Sequence, residues 1–253
     1  MAPGLLAPCK GEKVRHEGEP ALTKSGVELT EPDPKNGRVR QADRRQASMD
    51  SILDNAEYLF AEHGYNGVTF AEVAKVANVD TALIRYYFVD KKQLFREVFT
   101  RRGPEINRLR LEAMARARHN GKNGIPRLAD IVDAFMRPAF VKMSDDAGWA
   151  NYMAIVSYVN SSRGILDELM SEVFDEVSRE FLNDLRAIFP RAPEREIYWS
   201  YHLLTGAFTF SLGRTGRIDR LSDGLCSSSD SLAIADRLTT SLTVGISALC
   251  GQF

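Results

Sequence analysis

Cysteine is scarce in this sequence. Cys9, Cys226 and Cys250 are odd in number and far apart, so they frame no disulfide scaffold and read as free thiols in a reducing compartment. His16, His63, His119 and His202 are scattered, with no His/Cys/carboxylate spacing that would seat a metal. No Walker A, G-x-G-x-x-G or G-x-S-x-G run is present. The adjacent carboxylates Asp145-Asp146 and Asp167-Glu168 would face different directions on a helix. Neither an enzyme nor a cofactor nor a metal centre is expected. No apolar run reaches bilayer-spanning length. The N-terminus lacks a basic region followed by an apolar core, so no secretory leader is expected and a cytoplasmic location is. Net basic charge is also missing: the total is −1, with a pI near 6.5. Nucleic-acid binding would therefore need a local basic face.

What is present is a long, soluble, helix-patterned chain. Its 253 residues are 44% hydrophobic and 26% charged, enough for one large core or two smaller ones. Residues 1–43 are interrupted by Pro3, Pro8, Pro20, Pro32 and Pro34 and by repeated glycine, which predicts a disordered arm. Arg38, Arg40, Arg44 and Arg45 close that arm. Such a basic end suits either a minor-groove contact or a solubilising tail. A first helix is expected from about 46 to 63. Helical segments follow at 91–102, 105–119, 125–143, 147–160, 165–189, 193–213 and 230–250, with breaks at glycine and proline and a polar loop over 214–230. No segment alternates strongly enough to be a strand. The expected fold class is all-α.

Residues 69–95 carry the most information. Thr69 and Glu72 have the S/T-x-x-E spacing of a capping box. Phe70, Val73, Ala74 and Ala77 then line one helical face. Asn78 can take the left-handed conformation that ends a helix. Val79 anchors the turn, and Asp80 can cap a second helix from Thr81 to Phe88. Two short helices joined this way form a helix-turn-helix, whose second helix can lie in a DNA major groove. Thr81, Arg85, Tyr86 and Tyr87 supply hydroxyl and guanidinium groups suited to phosphates and base edges. Lys91 and Lys92 open the next helix, where backbone N–H groups favour a phosphate. Thr69 could reach a phosphate from the first helix.

This run resembles the N-terminal domain of TetR-family transcriptional regulators. The resemblance begins with Ile52, Ala56, Leu59 and Phe60 and continues through Ala61-Glu62-His63-Gly64-Tyr65. It then runs through Thr69 and the turn to Tyr87-Phe88-x-x-Lys91-x-x-Leu94. Asn78 stands where the family usually has glycine, and Asp80 where serine or threonine is frequent. The resemblance implies a symmetric dimer that binds operator DNA through residues 44–102. It also implies that residues 103–253 dimerise and hold an inducer.

The C-terminal pattern agrees with that division. The periodic apolar positions of 165–189, from Leu166 to Ile188, predict a central helix there. Segments 197–212 and 232–249 are apolar on more than one face, which fits a two-fold interface that includes Leu204, Phe208, Leu238 and Leu242. Aromatic and methionine side chains of the middle helices could line a cavity for a small hydrophobic effector. Its expected lining is drawn from Phe135, Phe140, Trp149, Tyr152, Met153, Phe174 and His202. The Tyr198-Trp199-Ser200-Tyr201-His202 run is similar to the C-terminal domains of fatty-acid-responsive members, a resemblance that implies an acyl or other hydrophobic ligand. The leading expectation is a repressor released from its operator by such a ligand. The alternative is a DNA-binding dimer controlled by a protein partner.

Overall fold

A computed structural model describes residues 34–162 and 167–252. Among them are eleven helices and no strand, apart from an isolated bridge between Lys122 and Ile125. The N-terminal helices are α1 (Pro34–His63), α2 (Phe70–Ala77), α3 (Thr81–Tyr87) and α4 (Lys91–Arg101). The rest of the chain forms α5 (Gly103–Asn120), α6 (Leu128–Asp145), α7 (Ala147–Ser161), α8 (Asp167–Ile188), α9 (Glu194–Leu212), α10 (Arg217–Leu221) and α11 (Ser231–Cys250).

Two boundaries differ from the sequence reading. Most of the expected arm, residues 1–33, lies outside the described residues. The helix expected from about 46 instead begins at Pro34. Proline is favoured in the first turn of a helix, and after Gly37 the run is rich in Arg, Gln and Ala, which are strong helix formers. Arg44 and Arg45 therefore lie on a helix, not in a flexible arm. The polar loop over 214–230 also contains the short helix α10. Gly216, in the left-handed region at φ 65°, opens it. The Asp219 carboxylate then gathers the Ser228 N–H and the Ser227 hydroxyl.

The helix-turn-helix forms as its caps dictate. The Thr69 and Glu72 side chains make both halves of the capping box at the start of α2. Asn78 ends α2 at φ 54°, and the Val79 N–H donates to the Ala74 carbonyl. Asn is among the few residues with a side chain that tolerate this region. Ile52, Ala56 and Phe60 of α1, Val73 of α2, Ile84 of α3 and Leu94, Phe95 and Phe99 of α4 are all buried. Phe60 and Phe95 meet edge to face, with centroids 4.9 Å apart. Burial of each such ring stabilises the unit by roughly 1.5–3 kcal/mol.

The expected central helix, α8, packs against α4, α5, α6, α7 and α9. A second central helix of the C-terminal region is α6. It packs against α5, α7, α8 and α11, and Ile131, Val132, Phe135, Met136, Ala139 and Phe140 are buried along it. The helices α4 and α5 are separated by Arg102 alone. Gly103 permits that join, because a Cβ at this position would lie 2.4 Å from Val173 Cγ1 of α8.

The last two long helices each keep a bare face. On α9 it carries Tyr198, Trp199, His202, Leu203, Gly206 and Phe210. On α11 it carries Thr240, Ser241, Val244, Gly245 and Ala248. Nothing lies within 4 Å of where a Cβ would sit on Gly206 or Gly245. Leu238 and Leu242 are half-buried. Leu204 and Phe208, expected at a subunit interface, are instead inside their own protomer. Positions four apart share a helix face, so the inward face of α9 takes 204 and 208 while 203 and 210 turn outward. Among the described residues one helix, α11, is long and apolar enough to cross a membrane by length and composition. No such stretch was expected from the sequence. Its surplus apolarity lies on this bare face, beside Asp236 and Arg237.

Candidate nucleic-acid interface and interior cavity

The outward side of α3 is set by what holds its inward side. Ile84 is buried and Leu83 half-buried, so Arg85 and Tyr86 project into solvent, Tyr86 with 70% of its surface exposed. The Asp80 carboxylate caps the helix by accepting from the Ala82 N–H at 2.7 Å. Aromatic and basic groups interleave here. Tyr86 and Tyr87 meet edge to face at 5.4 Å, and the Arg45 guanidinium lies 5.6 Å from both ring centres. Arg85 lies 5.8 Å from the ring of Phe70. Thr81 is half-buried, and so is Tyr87, which packs on Phe88.

A second group adjoins this one. Lys91 sits 4.6 Å over the ring of Tyr65. Asp90 caps α4 and takes the Gln93 N–H at 2.8 Å. A phosphate at this helix end must therefore share the N–H groups with a carboxylate and rely on Lys91 and Lys92 for charge. Thr69 is exposed, but its hydroxyl donates to Glu72 Oε2 at 2.8 Å and its N–H donates to the same oxygen at 2.7 Å. Those bonds hold the Glu72 carboxyl below its ordinary value. The Thr69 donors are thus committed to the cap.

The N-terminal unit is tied to the rest of the chain by a buried carboxylate. Glu57 on α1 is 1% exposed. Its Oε1 and Oε2 accept from Arg102 Nη2 and Nε, each at 3.0 Å, and Oε2 accepts from Arg101 Nε at 3.3 Å. Burial pushes the Arg102 guanidinium down, but Glu57, with Asp146 and Asp54, more than offsets this and holds it above its ordinary value. Arg102 also stacks at 5.1 Å on Trp149 of α7. Beside it the Tyr152 hydroxyl donates to the Phe99 carbonyl at 3.0 Å. Trp149 and Tyr152, expected to line an effector cavity, belong to this joint. Phe140 and Met153 are plain core.

The interior cavity lies next to that joint, between α5, α6, α7, α8 and α9. It has a volume of about 40 Å³, and Phe135, Phe174, Phe208, Val156, Met170 and Arg110 are among its walls. Phe135 and Phe174, expected to line an effector cavity, are among these walls. Phe208 joins them instead of facing a partner subunit. His202 does not join them, because it lies on the bare face of α9 against Trp199. A larger hollow of about 660 Å³, beside Asp133 and Arg137, opens on the surface.

Arg110 was not singled out by the sequence reading. It is 3% exposed, and three rings surround it, those of Phe135, Phe208 and Phe174 at 5.1, 5.3 and 5.6 Å. Its Nε has no hydrogen-bond partner among the described residues. Burial pushes the guanidinium down to about 10. The phenols of Tyr152 and Tyr201 offset only part of that shift. The signal in the sequence was a lone arginine four residues from Met114 and Ile106 on the inward face of its helix.

A helix-turn-helix with an aromatic and basic outer face, carried on a helical domain, defines the class of DNA-binding regulators. The family model "Bacterial regulatory proteins, tetR family" matches residues 52–98, and "Tetracyclin repressor-like, C-terminal domain" matches residues 133–245. The chain belongs to the TetR family of DNA-binding regulators. IcaR of Staphylococcus aureus (strain Newman), a negative transcriptional regulator of the biofilm operon icaADBC, is 42% identical over 48 residues, 19% of this chain. The match spans 26% of that relative's length. Among solved structures, the fatty acid degradation regulator FadR of Bacillus halodurans is similar, with 17% identity and a TM-score of 0.57 over 78% of this chain and 95% of that one. The hemolysin II regulator HlyIIR has 19% identity and a TM-score of 0.54 over 79% and 98%. FadR of Bacillus subtilis, solved with stearoyl-CoA, has 17% identity and a TM-score of 0.51 over 77% and 97%. At these identities the likeness is one of fold.

Proposed function

We propose that this regulator is a homodimeric repressor that leaves its operator when a small ligand with an apolar body enters the interior cavity. The observation that carries this reading is Phe174. Its ring is part of the cage around Arg110, and it also meets Phe99 of α4 edge to face at 6.0 Å. A ligand that displaces Phe174 therefore pushes on the helix that bears the DNA-reading unit. The paired recognition helices of a dimer must sit roughly 34–36 Å apart to enter successive major grooves. The ligand need only favour a different spacing. A coupling of about 1–3 kcal/mol weakens operator binding about 5- to 150-fold.

Dimerisation is assigned to the bare faces of α9 and α11, where Leu203, Val244, Gly206 and Gly245 offer apolar surface and close approach. DNA contact is assigned to Arg85, Tyr86 and Arg45, with Thr81, Tyr87 and Lys91 beside them. Thr69 joins them only by giving up Glu72. The stearoyl-CoA in the Bacillus subtilis FadR structure supports a small-molecule effector over a protein partner. The test is linkage. A ligand that releases operator DNA must bind the free dimer more tightly than the operator-bound dimer by the same factor. Equal affinities in two calorimetric titrations would make the ligand a passenger and favour control by a protein partner.

A further inference from the structure

We propose that the cavity at Arg110 is the head-group site for a monocarboxylate with an apolar body, the carboxylate accepting from the guanidinium and the body lying against Phe135, Phe174 and Phe208. This rests on the reading that the cavity holds an effector, and it names the effector's chemistry.

The charge balance of the cavity leads to this assignment. Aromatic faces attract a cation but offer no in-plane oxygen lone pair to an N–H. Arg110 therefore keeps an unsatisfied Nε in a place from which water is largely excluded. Elsewhere in the chain, a buried charge finds its opposite: Glu57 has Arg102, and Asp184 has Arg118 at 2.7 Å. The other polar groups at the cavity are already partnered. The Tyr201 hydroxyl donates to Ser178 Oγ at 2.8 Å, and Asn160 Nδ2 donates to Thr209 Oγ1 at 2.7 Å. Thr205 Oγ1 donates back to its own helix at the Tyr201 carbonyl. What the site lacks is one acceptor, and one with negative charge. A carboxylate accepts from a guanidinium through two oxygens, the strongest pairing open to it.

Size narrows the class. A cavity of about 40 Å³ accepts a carboxyl group. It falls far short of the roughly 300 Å³ or more typical of pockets for whole drug-sized ligands. The body must therefore make its own room. Met170, unbranched and adaptable, and the ring of Phe174 stand where it would go. Their displacement is the movement that α4 feels through Phe99.

The test uses the full chain with octanoate and 4-phenylbutyrate, against the matching alcohols, octyl phosphate and octanoyl-CoA, read by calorimetry and by thermal shift. We expect at least one acid to bind and raise the Tm while its alcohol at equal concentration does not. Arg110→Met should weaken that acid at least 10-fold. Arg110→Lys, which keeps the charge without the bidentate fork, should fall between. It also serves if the methionine variant does not fold. Equal binding of acid and alcohol, equal binding to wild type and to the folded Arg110 variants, or no binding by either acid would overturn the proposal. Tighter binding of octyl phosphate or octanoyl-CoA through Arg110 would overturn the carboxylate in favour of a bulkier anion. An acid that binds through Arg110 but leaves operator affinity unchanged keeps this site and refutes the release mechanism.

Discussion

Glu57→Gln is the substitution that most directly tests how the DNA-reading unit is fastened. The native carboxylate is 2% exposed, and Arg101 and Arg102, which it bridges, are only 20% and 21% exposed. Removing one partner of a buried ion pair costs about 3–5 kcal/mol, because the other charge is left in a poor solvent. Glutamine keeps the shape and one acceptor, but its NH₂ faces guanidinium donors. Water can also reach the arginines at one-fifth exposure. The lower end of that range, about 3 kcal/mol, is therefore expected. With a urea m value of about 2 kcal/mol/M, the midpoint falls by more than 1 M. The comparison is Asp54→Asn. Asp54 pairs with Arg101 at 2.8 Å but is 63% exposed, so its loss costs about 0–1 kcal/mol. Both variants should be unfolded in urea at one protein concentration, because dimer stability depends on it. If Glu57→Gln shifts the midpoint no further than Asp54→Asn, the buried carboxylate does not hold the joint, and the route from Phe174 to the DNA-reading helices loses its fixed end.

The other expectations are more local. Leu203→Glu with Val244→Glu should yield a folded monomer at micromolar concentration by sedimentation, whereas Leu204→Glu should abolish folding, since it buries a charge. A folded dimer from the first pair would refute the α9/α11 interface. Arg85→Ala with Lys91→Ala should lower the slope of log affinity against log salt by about 1 for each phosphate that is no longer neutralised; an unchanged slope in a folded protein would remove both residues from the DNA face. Asn78→Val, at φ 54°, should cost about 1–3 kcal/mol by calorimetric Tm while Asn78→Gly is tolerated. If the valine variant is as stable as the wild type, the left-handed cap is not the constraint.

The helix-turn-helix was legible because its constraints are local. Thr69, Glu72, Asn78 and Asp80 act over three or four residues, and their spacing in the sequence is their spacing in space. The all-α class and the division of helices followed from periodicity and from glycine and proline breaks. Which face of α9 turns inward did not follow, because 197–212 is apolar almost all round. Leu204 and Phe208 could not be told from Leu203 and Phe210 by residue type. The same ambiguity placed His202 in the cavity when it lies outside. Arg110 was missed for the opposite reason. One arginine on an otherwise ordinary helix carries no pattern, and its meaning arises only when rings from α6, α8 and α9 close around it. The Glu57 joint likewise unites residues far apart in sequence, and nothing in α1 alone marks that glutamate as buried.

The close approach at Gly103 also sets what substitution can do to this regulator. Exchanging glycine for alanine within a helix ordinarily stabilises it by up to about 1 kcal/mol. Here the added methyl would press on Val173 Cγ1 at 2.4 Å, and overpacking costs about 1–3 kcal/mol. The familiar gain is thus closed at the residue where α4 hands over to α5. A wider residue would lever α5 from α8 and turn the DNA-reading helices with it. Engineering that seeks a new half-site spacing can begin there, pairing a larger residue at 103 with a smaller one at 173.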